Sequence, residues 1–259
     1  MGIQGGCLIT RTLENIGLGL LILKDCMALY RAVLRGQNSL DLKEFVENLR
    51  ETGLTVLVGL TLVAAVVGLI VGVEAELLIK KINAPGLFLG MIGLSIIKEF
   101  APLLVGMFVA GRSGIGLAVR IGSMILNREA DGLIVSGINP VQYVVAPMLL
   151  AMLLMSFALA VWTDIVVVSV TAVWLWYEAG IPWAMFADSL NNVLDVSDLI
   201  LSTIKPMVFA LFIALIAAVN GCRVNRQIES VSRAATRTMI SAIAAILLVD
   251  LFFILSSGD

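Results

Sequence analysis

Five long apolar runs divide this sequence: Leu54–Val73, Ala84–Ala110, Val141–Tyr177, Leu199–Val219 and Met239–Leu255. A membrane-spanning helix needs about 20 mostly apolar residues, so each run predicts one span. The first carries no charge at all, and the third is far longer than a roughly 30 Å hydrocarbon core requires. One tilted helix, or a span with a short interfacial piece, would account for that third run. Before the first span, Leu13, Ile16, Leu20, Leu23, Met27, Tyr30 and Leu34 recur at helical spacing, with Lys24, Arg31 and Arg35 among them. That stripe predicts an amphipathic helix lying in the interface plane, the alternative being a helix packed on the protein. Asp41–Glu51 forms a charged lead into the first span. The predicted organisation is an N-terminal interfacial region (1–52) and a five-span all-α membrane domain (53–259).

Composition narrows the class. Of 259 residues, 60% are hydrophobic and 14% charged, against about 45–50% and about 25% in soluble domains. The net charge of −2 argues against a nucleic-acid binder. There is no histidine, which removes Ser-His-Asp and Cys-His catalysis and His-ligated zinc or haem. Cys7, Cys26 and Cys222 lie far apart with no CxxC spacing, so neither a disulfide framework nor a metal site is expected. No GxxxxGK[ST] occurs, so the chain has no P-loop of its own. GRSGIG is not a nucleophile elbow, because Ile115 stands where the last glycine would be. No catalytic residue is therefore expected.

Charge placement orients the chain. Most of the 17 basic residues lie before Arg50, between the second and third runs (Arg112, Arg120, Arg128), or between the fourth and fifth (Arg223, Arg226, Arg233, Arg237). The loop Glu178–Asp198 has four acids and no base. The positive-inside bias then puts the N-terminus in the cytoplasm and the C-terminus outside.

Five charges fall within the runs: Lys98, Glu99, Asp164, Lys205 and Asp250. Each costs about 2.5–3.5 kcal/mol at a helix centre, so they must pair, meet water or line a polar cavity. Pairing such as Lys205 with Asp250 is one reading; a substrate-facing cavity is the other. Pro102 removes the hydrogen bond to the carbonyl of Lys98, and Pro206 follows Lys205, so kinks stand beside the charges. Asp164 is expected near the outer end of its span. Gly68/Gly72 and Gly86/Gly90 are GxxxG pairs, which serve either helix packing within one chain or a dimer face. The segment Gly111–Asn139 combines three arginines, many glycines and a polar core, Asn127–Arg128–Glu129–Ala130–Asp131. It predicts a short helix, about 122–138, presenting that core to a soluble partner.

The pieces LGMIGLSIIKEFAPLLVGMFVAGRSG and RIGSMILNREADGLIVSGINPVQYVVAP, followed by NG at Asn220–Gly221 and SRAATRTMISAI, resemble the MlaE/YrbE family. These are permease subunits of bacterial lipid ABC transporters that work with MCE proteins. The shared pattern is a basic–Glu–x–x–Pro step (Lys98–Pro102), an AGR-(S/A)-G turn (Ala110–Gly114), an IG-x-M run (Ile121–Met124), an acidic helix (Glu129–Leu133) and Gly-x-(D/N)-Pro (Gly137–Pro140). The resemblance implies a homodimer in the inner membrane, and a phospholipid cavity associated with Lys98, Glu99, Lys205 and Asp250. It also implies a cytoplasmic ABC ATPase, holding ATP and Mg, docked on Asn127–Asp131. A periplasmic MCE hexamer is the expected carrier, and the resemblance admits a small STAS-domain subunit. Two positions depart from the pattern: Arg120 stands where an acid is common, and Val166–Val168 where glycines are. An ion-coupled carrier and a non-transporting membrane scaffold are the competing readings.

Overall fold

Leucine, valine, alanine and isoleucine dominate the long runs, and such runs satisfy their backbone polar groups in lipid only by forming helices. The computed structural model describes the backbone of residues 3–36, 42–81, 85–225 and 227–256. Side chains before residue 13 and at 85–88 are not described, so Cys7, Arg11, Asp41, Ala84 and Arg226, and the packing of Gly86, lie outside the described residues. Among those described, every regular element is helical.

Helix α1 spans Ile3–Leu34 and α2 spans Leu42–Lys81. The next element is one long helix in pieces. It comprises α3 (Pro85–Ser95), a π turn (Ile96–Phe100), α4 (Ala101–Val109), a second π turn (Ala110–Gly114) and α5 (Ile115–Leu126). A short α6 (Glu129–Val135) follows, then a third π turn (Val141–Val145) leading into α7 (Ala146–Glu178). The chain closes with α8 (Trp183–Asn191), α9 (Val196–Cys222) and α10 (Ile228–Ser256). Five helical stretches are long and apolar enough to cross a membrane: Leu42–Lys81, Leu89–Leu126, Val141–Glu178, Val196–Cys222 and Ile228–Ser256.

The boundaries differ from the sequence expectation in instructive ways. The charged lead before the first span is itself helical and belongs to α2, because Glu44, Asn48 and Thr52 face protein rather than solvent. The second span does not stop at Ala110; it continues through the glycine-rich AGRSG as a π turn and ends at Leu126. The third run is a single helix of 38 residues, about 57 Å at 1.5 Å per residue. Asp164 stands near the middle of α7, not near the outer end, because the helix continues unbroken past it to Glu178.

Helices α2 and α7 run parallel and form the most extensive pairing. A Cβ built on Gly68 would lie 2.8 Å from the carbonyl oxygen of Val167, and one on Gly72 would lie 3.0 Å from Trp174. Thr171 donates to the carbonyl of Gly68 at 2.9 Å, and the Trp162 indole donates to Thr61 Oγ1 at 2.9 Å. The Gly68/Gly72 pair thus packs one helix on another within the chain. It also compensates the bulky Val166–Val168: the small residues sit on α2 instead of α7.

Helix α9 lies at the centre of the bundle, with Phe209, Ile213, Ala214 and Ala217 fully buried in the main core. Gly106, Gly114 and Gly122 of the second span and Gly221 of α9 are the close-approach points around it. A Cβ at Gly221 would sit 2.8 Å from Ile121 Cβ and 3.0 Å from the Ala118 carbonyl oxygen. Helix α1 packs on the bundle with Ile22, Cys26 and Leu29, and Tyr30 donates to the Ala146 carbonyl at 2.6 Å. Burial, with Asp25 alongside, pushes the Cys26 thiol up to about 12, so it serves as packing rather than chemistry. Much of the stripe anticipated for this helix faces outward: Leu13, Ile16, Leu20, Met27 and Leu34 are exposed. So α1 has two apolar faces, one against the protein and one turned away from it.

Candidate functional site

The site is built where proline and a π turn disturb the second span. In the π turn Ile96–Phe100, the N–H of Ala101 reaches back to the carbonyl of Ile96, one residue further than in an α-helix. Pro102 then has no N–H to give the Lys98 carbonyl. The ammonium of Lys205, from α9, fills the gap: its Nζ donates to the Lys98 carbonyl oxygen at 3.0 Å. The same Nζ lies 3.0 Å from Glu99 Oε1 and 3.2 Å from Asp250 Oδ1 of α10. An ammonium has three protons, and here three acceptors surround it. The ring of Phe253 lies 6.0 Å from Nζ and closes the apolar side.

One cation thus joins three membrane helices. Lys205 is 4% exposed and Asp250 6%, so neither meets bulk solvent. The Glu99 side chain is 34% exposed, yet its Oε2 is buried with no hydrogen-bond partner. One cation against two carboxylates leaves the cluster one negative charge in excess, with Glu99 on its open side.

Lys98 takes no part in the cluster through its side chain. It points to Asp198, whose Oδ1 is 2.6 Å from Lys98 Nζ. Asp198 is held by a capping box at the start of α9: the Asp195 side chain accepts from the Asp198 backbone, and the Asp195 N–H donates to Asp198 Oδ2. Asp198 was not among the expected site residues. Its signal was the Asp-x-x-Asp spacing just before an apolar run, the mark of a helix start. The structure therefore brings Lys98, Glu99, Lys205 and Asp250 to one level of the bundle, as two linked ion-pair sets. Asp164 is not part of them; its Oδ1 is buried on α7 without a partner.

The segment Asn127–Asp131 lies apart, at the exposed turn between α5 and α6. Its helical piece is narrower than expected: residues 122–126 belong to α5, and α6 begins at Glu129. Arg128 adopts the left-handed conformation, φ 61° and ψ 18°, which reverses the chain, and Asn127 Nδ2 donates to Glu129 Oε1 at 3.1 Å. At the other end Gly137 has φ +77°, with Gly137 N–H donating to Ile134 and Ile138 N–H to Leu133, a Schellman closure. Pro140 and the Asn139 side chain, which accepts from the Val141 N–H at 3.0 Å, start the next span. Helix α6 buries none of its residues, and Ile134 and Val135 are exposed. A left-handed arginine costs about 1–2 kcal/mol relative to glycine. Arg128→Gly is expected to stabilise the turn by roughly 0.5–1 kcal/mol after the added chain entropy of glycine, read as slower amide exchange across residues 129–135.

Arg120, unusual for the pattern, is paired with Glu44 of α2 and lies 3.4 Å from Asn48 Oδ1. The acid expected next to the IG-x-M run is thus supplied from a neighbouring helix.

A model of the family described as Permease MlaE matches residues 45–256. Among curated relatives, the Intermembrane phospholipid transport system permease protein MlaE of Haemophilus influenzae is 24% identical over 220 residues, covering 82% of this chain and 81% of that protein. A Rickettsia prowazekii protein named a "Probable ABC transporter permease protein" is 25% identical over 191 residues, covering 72% and 74%. The chloroplastic protein TRIGALACTOSYLDIACYLGLYCEROL 1 of Arabidopsis thaliana is 26% identical over 174 residues, covering 66% of this chain and 50% of that one. With five candidate spans and a family match over most of its length, the chain belongs to the MlaE permease family.

Proposed function

We propose that this chain is the membrane subunit of an ABC transporter that moves phospholipid between the inner membrane and a periplasmic MCE-domain carrier. A separate cytoplasmic ATPase, holding ATP and Mg, would drive it. The observation that carries the reading is the buried Lys205 cluster, beside the Lys98–Asp198 pair at the start of α9, among mostly apolar helices. Charges are kept at that depth when they line a path or join moving parts. All three Lys205 protons are engaged, so in this conformation the lysine joins helices rather than offering a free charge. Glu99, partly open and with one unpaired oxygen, and Lys98, 31% exposed at its side chain, are the groups that face a lipid headgroup. Leucine, valine and phenylalanine on the outward faces of the spans accommodate acyl chains.

Helix α6 is the docking element for the ATPase in this reading, with Glu129 and Asp131 at its start and exposed Ile134 and Val135 beyond them. Its rigid closure at both ends suits transmission of a push into α5, which crosses α9 at Gly221. The basic bias places α6 and the N-terminus in the cytoplasm and the C-terminus in the periplasm. The outward face of α10, with Leu247, Leu248, Leu251 and Phe252 exposed, suits contact with a second copy. A small STAS-domain subunit is compatible with this assembly.

The test is phospholipid transfer in proteoliposomes holding the permease with its ATPase. The double variant Glu129→Lys/Asp131→Lys is expected to lose ATP-dependent transfer at least tenfold while still co-purifying with phospholipid. Transfer that ignores the ATPase and follows a proton gradient would replace this reading with an ion-coupled carrier.

A further inference from the structure

Two cavities share the side chain of Arg112, roughly 20 Å along the second span from the Lys205 cluster at 1.5 Å per residue. The first, about 220 Å³, has a mixed wall, with Asn48, Glu51, Arg112, Ser113 and Arg120 on its polar side and Leu117 and Met148 on its apolar side. The second, about 400 Å³, is apolar apart from its rim, with Val56, Gly59, Met107 and Phe108 in its wall beside Arg112. Arg112 lies in the π turn Ala110–Gly114, and among the described residues it makes no ion pair. Arg120 is shared with Glu44 and Asn48.

The polar cavity contains unmet hydrogen-bonding capacity. Asn48 is 2% exposed and Ser113 3%, yet Asn48 Nδ2 and Ser113 Oγ have no partner. A buried polar group left unpaired costs about 1–3 kcal/mol, so two such groups on residues lining one cavity favour an occupant that a small shift of the wall would bring to them. The free groups are donors, beside two guanidiniums, with a single carboxylate, Glu51, on the same wall. Glycine keeps both cavities open. A Cβ at Gly111, in the apolar wall, or at Gly116, in the polar wall, would meet nothing within 4 Å.

We infer that this paired cavity binds a phospholipid at the end of the bundle where α2 begins. The phosphate is held by Arg112, with Asn48 Nδ2 and Ser113 Oγ just behind the same wall as the donors a small shift of the wall would add, and one acyl chain lies along the Val56–Phe108 groove. Glu51 faces a positively charged headgroup substituent, which favours a zwitterionic phosphoethanolamine lipid. The planar fork of a guanidinium matches two oxygens of a phosphate and complements its charge, and the change from polar to apolar across one side chain matches an amphiphile. Gly111 and Gly116 of AGRSGIG then have a role beyond helix packing: they leave room for the lipid. This inference rests on the lipid-permease reading but not on the Lys205 cluster.

The experiment is native mass spectrometry of the full-length chain, titrated with three probes. These are phosphatidylethanolamine, diacylglycerol of the same chains, and the soluble headgroup glycerophosphoethanolamine. Phosphatidylethanolamine is expected to bind at least tenfold more tightly than either of the others. Arg112→Ala, and independently Gly111→Leu, whose Cβ starts in open space, are each expected to weaken it tenfold or more. Glu51→Gln is expected to erase a preference over phosphatidylglycerol. Wild-type binding in both Arg112→Ala and Gly111→Leu would overturn the inference, leaving a hydrated cavity. So would equal binding of diacylglycerol, or of the soluble headgroup, which would mark a site for free phosphate esters. If those variants bind normally while Glu99→Gln abolishes transfer, only this inference fails. If the wild-type chain binds no phospholipid, the proposed function fails with it.

Discussion

Lys205→Met is expected to destabilise the folded chain by about 3–5 kcal/mol, the cost of removing one partner from a buried ion cluster. The substitution keeps the side chain's length and removes only its charge and donors. It leaves Asp250 buried without a cation, and it returns the Lys98 carbonyl to the unpaired state that Pro102 imposes. Glu99, a third exposed, recovers part of its hydration and adds less. Thermal unfolding in nanodiscs measures the effect. The triple variant Lys205→Met/Glu99→Gln/Asp250→Asn carries no charge in the cluster and is expected to regain most of the loss, since whole buried ion sets are often replaceable at little cost. If the cluster only holds helices together, the triple variant transports lipid. If it belongs to the path, the triple variant folds and transfer stays at least tenfold down. A single Lys205→Met chain as stable as the wild type would refute the three-acceptor geometry.

The existence of the spans was readable because lipid imposes one rule on every residue in them: apolar side chains on a self-satisfied backbone. Their ends were less readable, because they depend on partners distant in sequence. Asn48 looks like an interfacial residue until Arg120 of α5 is seen beside it, and Thr52 until it is seen to be buried. Glycine in AGRSG looks like a loop signal, yet the turn is a π-helical stretch whose glycines Gly111 and Gly114 meet, respectively, open space and Ile213. The Lys205–Asp250 pairing is one of the two readings that opposite charges within the spans allow, and the structure forms it. The Lys98–Asp198 pairing was not among them, because Asp198 was grouped with the acidic loop, whereas it caps α9 and turns inward.

The close packing of α2 on α7 sets the second large effect. Gly68→Leu is expected to destabilise the chain by about 2–4 kcal/mol, combining overpacking with the loss of an interhelical hydrogen bond in lipid. The new Cβ would start 2.8 Å from the Val167 carbonyl oxygen and 3.1 Å from Val170 Cβ, so α2 and α7 must separate. Separation breaks the Thr171 bond to the Gly68 carbonyl and moves Gly72 away from Trp174. Nothing flexible stands in the way to absorb the change, because the nearest atoms are Val167 backbone and the Cβ of Val170, which is fixed to its own backbone. Gly17→Ala is the control: its Cβ would meet nothing within 4 Å, and the substitution is expected to be neutral or slightly stabilising in α1. The readout is thermal unfolding together with oligomeric state by native mass spectrometry. Loss of stability at unchanged subunit number fits a contact inside one chain. Loss of a dimer with the subunit's own unfolding unchanged would mean instead that the Gly68 stripe faces a second copy, and that the α2–α7 packing described above is wrong.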